Sequence, residues 1–185
     1  MISGCDGAVP GRSHNDLHVS HIEHQSTAPS SVPCYVLTVS DTRRPDTDTS
    51  GRVIRELLEA AGHSVAGHAI VKDDPAQVQR IVKAQLAETS VRVIITTGGT
   101  GIASRDGTFE ALEGLLEKRL DGFGELFRML SFDDIGPAAM LSRATAGTAG
   151  RTAIFALPGS EQAVRLAMTR LILPELGHVA QQLSL

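Results

Sequence analysis

From Val32 onward, apolar residues recur in two rhythms: a short β-branched run, then a stripe at helical spacing, each closed by a polar or glycine-rich break. CYVLTVS is the first such run and predicts a buried strand that ends at Ser40-Asp41-Thr42. In GRVIRELLEAAGH, residues Val53, Ile54, Leu57, Leu58 and Ala61 share one helical face, with Ser50 as the N-cap and Gly62 as the C-terminal stop. HSVAGHAIV alternates as a second strand, and Asp74-Pro75 opens a helix whose buried stripe is Val78, Ile81, Val82 and Leu86. VRVIITT is the clearest strand; GGTGIASRDG follows it, then a helical stretch through FEALEGLLEKRL and another near GELFRMLS. A strand from Ala144 to Gly147 is expected to pair with Thr152 to Leu157 across a turn at Gly150. EQAVRLAMTRLILPEL reads as the closing helix, with Val164, Ala167, Leu171 and Ile172 inward. This alternation predicts an α/β fold, a three-layer sandwich with a mainly parallel sheet and one antiparallel edge pairing.

Residues 1–31 carry scattered Gly, Ser, Pro, His and Asn without apolar periodicity, which predicts a mobile extension ahead of an α/β domain spanning 32–185. His14, His18 and His21 would share one face of a helix there, with His24 close by, but a segment too polar to fold alone does not hold metal ligands in place. Composition narrows the partners. Of the 185 residues 42% are apolar and only 3% aromatic, so the core is aliphatic and no aromatic platform for bases is expected. Seventeen Lys and Arg against 21 Asp and Glu give a net charge of −4, which argues against a nucleic-acid partner and for a small-molecule ligand. No run approaches the ~18 to 20 apolar residues of a membrane span, and the first residues lack the apolar core of a signal peptide. A cytoplasmic protein without a membrane partner is expected. Cys5 and Cys34 lie too differently placed for a disulfide framework or a cysteine metal site.

In open α/β sheets ligands bind beyond the carboxyl ends of the strands, so the residues leaving those ends carry the chemistry. Thr96-Thr97-Gly98-Gly99-Thr100-Gly101 follows an apolar strand directly. Its glycines let backbone N–H groups approach a phosphate, and the threonine hydroxyls add donors. It is neither a Walker loop, lacking Gly-Lys-Ser/Thr, nor a dinucleotide loop, since Ser104 replaces the third glycine. Ser40, Asp41 and Thr42, with Asp48, Thr49, Ser50 and Gly51, form a second loop able to meet an anion or simply to cap a helix. Leu157-Pro158-Gly159-Ser160 forms a third. Asp73, Asp74 and Asp106 also leave strand ends, where they are either ligands of Mg²⁺ or helix caps. Arg105, Arg128 and Arg143 are the cations expected nearest to phosphates. His63 and His68 read as surface or satisfied histidines, and no Ser/His/Asp order stands out.

The segments TVSDTRRPDTDTSG, TTGGTGIASRD, GFGELFRMLSFDDIGPAAMLSR and FALPGS, in that order, resemble the MoaB/MogA family of molybdenum-cofactor biosynthesis proteins over nearly all of the chain after residue 31. DTDTSG and FRMLSF look more like its B-type members. The resemblance implies the molybdopterin-binding fold, adenylylation of the terminal phosphate of molybdopterin by Mg-ATP with release of pyrophosphate, and a homotrimer or homohexamer, whose contact surface is expected around Phe123, Phe127 and Met129, a segment more apolar than one buried helix face requires. By the same matching, Thr97, Gly98, Gly99, Thr100 and Gly101 fall on the phosphate and pterin loop, and Ser40, Asp41, Ser50, Pro158, Gly159 and Ser160 on loops bordering the nucleotide and pterin sites. Asp73 and Asp106 match the two important acidic positions, as catalytic residues and as ligands of Mg²⁺. The chain departs from the family's pattern at Gly107 and Phe109, where an aliphatic residue and a proline are common. Two other readings keep the glycine loop but drop the reaction: a molybdopterin-binding protein without transferase activity, and a nucleotide-binding regulatory module.

Overall fold

Near-continuous Val, Ile, Leu and Ala runs dictate strands buried on both faces, and these form the middle of one six-stranded sheet ordered β2-β1-β3-β6-β5-β4. Strands β1 (Pro33–Val39), β2 (Ser64–Val71), β3 (Val93–Thr97) and β6 (Thr152–Leu157) are parallel. β5 (Thr145–Ala149) runs antiparallel to β6, and β4 (Lys118–Arg119) antiparallel to β5. The computed structural model describes residues 29–104 and 106–185. Cys5, the four histidines before residue 25, and Arg105 lie outside them.

Helices cover both faces. One face buries Val53, Ile54 and Leu58 of α1 (Thr49–Ala60), Phe123 and Phe127 of α4 (Asp121–Ile135), and Val164, Ala167, Met168, Ile172 and Leu176 near the C-terminus. The other buries Val78 and Val82 of α2 (Pro75–Ala87) with Ala111 and Leu112 of α3 (Thr108–Glu113). The chain steps from β1 outward to β2, then returns past β1 to β3. That reversal opens a crevice between the carboxyl ends of β1 and β3. Among the described residues no helix is long and apolar enough to cross a membrane.

Four expectations are corrected. Asp48, not Ser50, caps α1, accepting from the Gly51 N–H at 2.9 Å. The stretch expected to be helical to Leu120 stops at Glu113, because Gly114 takes the C-cap and Lys118–Arg119 pair with β5 instead. The closing helix divides into α5 (Glu161–Ala167), a π-helical turn (Met168–Ile172) and α6 (Leu173–Gln182). Pro174 explains the break, since it has no N–H to continue the ladder. Phe123 and Phe127, expected to contribute with Met129 to an apolar surface, are buried; Leu126, Met129, Phe132 and Ile135 form the exposed apolar side of α4.

Candidate functional site

Pairing puts Thr38, Thr97 and Leu157 in one row across β1, β3 and β6, so the residues after them gather at one edge. Three links hold those loops together. The Ser40 N–H donates to Val71 O at 2.8 Å, the Gly98 N–H to Leu157 O at 3.0 Å, and the Thr97 hydroxyl to Pro158 O at 2.9 Å. A fourth crosses the crevice: the Ser50 hydroxyl, displaced from the cap by Asp48, donates to Gly159 O at 2.8 Å. Ser40, Ser50, Thr97, Gly98 and Gly159 thereby line one small cavity together with Thr38, Asp48 and Arg43. Ser160 caps α5 through the Ala163 N–H.

The glycine loop needs its glycines. Gly98 has φ +99°, and a Cβ there would lie 2.1 Å from Val39 O. Gly99 has φ +65°, and its Cβ would sit 2.1 Å from the Thr108 Oγ1 and 2.7 Å from an Asp73 carboxylate oxygen. The backbone is therefore pressed against β1 on one side and against Asp73 on the other. Thr100 is buried, and Gly101 lies against Asp106.

Of the two neighbouring acids after β2, Asp74 is a helix cap, accepting from the N–H groups of Ala76 and Gln77. Asp73 turns the other way. Its Oδ1 accepts from the Gly107 N–H at 3.3 Å and the Thr108 hydroxyl at 3.5 Å, while its own N–H donates to the Asp41 Oδ1 at 3.3 Å. Partial burial, followed by the charges of Asp106 and Asp41, holds the Asp73 carboxyl above its ordinary pKa, against the lowering effect of the Gly107 and Thr108 bonds. Asp106 does not cap α3, whose N-cap is Gly107; its Oδ2 accepts from the Ala103 N–H at 3.0 Å. The two carboxylates thus flank the glycine loop.

Among the described residues no group of three or more His, Cys, Asp or Glu is placed to hold a metal ion. The charges of Asp106 and Asp41 crowding the Asp73 carboxylate nevertheless suit a hard cation, and Mg²⁺ is commonly bound by one or two carboxylates, with water and substrate phosphates completing its shell. The donor set fits on those terms.

The expected cations divide. Arg128 donates to Ser142 O and Ala144 O, away from the loop. Arg143 reaches it, with Nε donating to Thr100 O at 3.2 Å and Nη2 to Gly101 O at 2.5 Å and Asp106 O at 3.0 Å. Both arginines also border a cavity of about 400 Å³ that includes Phe109, Arg119, Gly124 and Met140. Sequence reasoning missed the network beneath the crevice. The Asp48 carboxylate, buried, also accepts from the Thr38 hydroxyl at 2.8 Å and contacts the His68 Nε2 at 3.0 Å, so it joins β1, β2 and α1. Only the polar run DTDTSG hinted at it.

The description of the family model that matches residues 35–178 is "probable molybdopterin binding domain". The chain is 53% identical over 166 residues to molybdenum cofactor biosynthesis protein B of Bacillus cereus, covering 89% of this chain and 98% of that protein. It is 51% identical to the protein of the same name from Bacillus subtilis over 162 residues, 87% of this chain and 95% of the relative. A crystal structure of molybdenum cofactor biosynthesis protein B superposes with a TM-score of 0.83 at 53% identity, over 85% of this chain and 99% of the other. The tungsten cofactor synthesizing protein MoaB from Pyrococcus furiosus gives 0.75 at 37% identity, over 84% and 98%. With the fold, the loop set and these similarities in agreement, the chain belongs to the MoaB/MogA family of molybdopterin-binding, molybdenum cofactor biosynthesis proteins.

Proposed function

We propose that this protein adenylylates molybdopterin: the terminal phosphate of the pterin attacks the α-phosphate of ATP, an O–P bond forms, and pyrophosphate leaves. The observation that supports it most is the glycine loop, packed between β1 and Asp73 and flanked by the Asp73 and Asp106 carboxylates. Phosphoryl-type transfer asks for positioning and charge neutralisation and needs no protein nucleophile. Backbone N–H groups of the loop bind phosphate oxygens. The Ser40 hydroxyl and the N–H groups near Gly159 border the same edge and orient the two phosphates in line, while the Thr97 hydroxyl, donating to Pro158 O, holds the two loops together. Asp73 and Asp106 would hold Mg²⁺, which supplies neutralisation of the developing charge on the phosphates.

The protein assembles as a homotrimer or a dimer of trimers, an expectation that the exposed apolar side of α4 supports, since Met129 and Phe132 are 58% and 57% exposed there. Light scattering at micromolar concentration tests this; a monomer alone contradicts it. For the reaction, the test is a titration of molybdopterin with and without Mg-ATP. Pterin binding followed by pyrophosphate release supports adenylylation, pterin binding without turnover leaves a binding protein, and nucleotide binding alone leaves a regulatory module.

A further inference from the structure

Arg143 leaves the chain 42 residues after Gly101, yet its guanidinium lies against the glycine loop and is nearly used up there. Of its five N–H donors, one goes to Thr100 O, two on Nη2 go to Gly101 O and Asp106 O, and Nη1 pairs with Glu110. The Phe109 ring lies below the guanidinium carbon, 5.0 Å from it to the centroid. A group so engaged with carbonyls has little left for a phosphate.

Its effect on the loop follows from peptide geometry. In a trans peptide the N–H of the next residue points opposite to the C=O. Drawing the Thr100 and Gly101 carbonyls toward Arg143 therefore turns the N–H groups of Gly101 and Ile102 away from it. The third carbonyl gives a check within the structure. Asp106 O faces Arg143, and on the other side of that peptide the Gly107 N–H donates to the Asp73 carboxylate. Arg143 and Asp73 thus grip opposite sides of one peptide. Among the described residues, none accepts from the Gly101 or Ile102 N–H groups.

We infer that Arg143 is a positioning residue that turns the amides of the glycine loop outward as an anion cradle by holding three loop carbonyls, and that it is not itself a phosphate ligand. This rests on the reading above, in which the loop receives phosphate. The fork geometry carries the role: a lysine ammonium keeps the charge but cannot span three carbonyls in one plane while lying on Phe109.

The test uses the ¹⁵N-labelled full chain and inorganic pyrophosphate as the probe. Arg143→Lys is expected to move the ligand-free amide resonances of Gly99, Thr100, Gly101 and Ile102, and to weaken pyrophosphate binding about tenfold, roughly 1.4 kcal/mol. Glu110→Gln, which removes only an exposed ion pair, should leave both as they are. Phe109→Leu, which deletes no hydrogen bond, should move the same resonances by less and covers the case in which Arg143→Lys fails to fold. Unmoved resonances in a folded Arg143→Lys protein overturn the inference, as does pyrophosphate affinity equal to wild type. Moved resonances in a protein that never releases pyrophosphate from ATP would uphold it and defeat the adenylylation reading, so the two fail separately. Where turnover is seen, Arg143→Lys should lower kcat more than it raises the KM for ATP.

Discussion

Replacing Gly98 with alanine tests whether the crevice depends on the close approach of β3 to β1. The new Cβ would stand 2.1 Å from Val39 O and 3.2 Å from Val39 C, with the backbone at φ +99°. Two costs add. Holding a non-glycine residue in that region costs on the order of 1–3 kcal/mol. Relieving the clash requires β1 and the loop to separate by about 1 Å, and backbone shifts of this kind in packed interiors cost roughly 1–3 kcal/mol. A total of about 2–6 kcal/mol follows, which for a domain of this size lowers Tm by about 4–24 °C. Circular dichroism melts and urea titrations would read it, with Gly114→Ala as the control. Gly114 has φ −69°, and its Cβ would meet nothing nearer than 3.9 Å, so that variant should stay near wild type. A Gly98→Ala protein within about 0.5 kcal/mol of wild type would refute the tight junction, since neither strain nor overpacking could then be present.

Asp73→Asn should stabilise the fold while harming the chemistry. Its folded pKa lies above the ordinary 3.8, so as pH rises past that value the unfolded chain ionises first and stability falls until the folded group ionises too. The variant's higher Tm is therefore expected at pH 7 and should vanish below pH 3.8; equal melting at both would contradict the burial and charge crowding described. Asp48→Ala should destabilise by about 2–4 kcal/mol in denaturant titrations, because the Thr38 hydroxyl, the Gly51 N–H and His68 lose one shared acceptor. Cys34 is buried, and burial pushes its thiol up to about 12. Alkylation at pH 8 followed by peptide mapping should leave Cys34 unmodified until the protein is unfolded.

The β3 strand and the loop after it were legible because both signals are local: a wholly apolar run, then glycines whose spacing has no use in a strand or helix. Asp73 and Asp74 were harder to separate, since each stands before Pro75; only the structure shows one capping α2 and the other facing Gly107. Asp48 takes the cap expected of Ser50 because that choice is made partly by Thr38 and His68, ten and twenty residues away. In α4 apolar residues occupy more than one face, and periodicity alone does not say which side meets the sheet; Phe123, Phe127 and Ser131 do. Arg143 was expected near phosphate, and it does reach the loop, but its donors meet carbonyls rather than the open side. No spacing rule anticipates a contact between residues so far apart in sequence.

The most direct measurement is the yield of adenylylated molybdopterin and pyrophosphate from wild type and from Asp106→Asn, each incubated with molybdopterin and Mg-ATP. Wild type should give the two products in equal amounts. The variant, folded and still binding the pterin, should be slower by roughly 10² or more, the consequence of losing a few kcal/mol of transition-state stabilisation. Asparagine would serve a merely structural turn about as well as aspartate, so undiminished turnover in Asp106→Asn would remove that carboxylate from the mechanism. A wild-type protein that binds molybdopterin yet releases no pyrophosphate from Mg-ATP would contradict the proposed reaction itself.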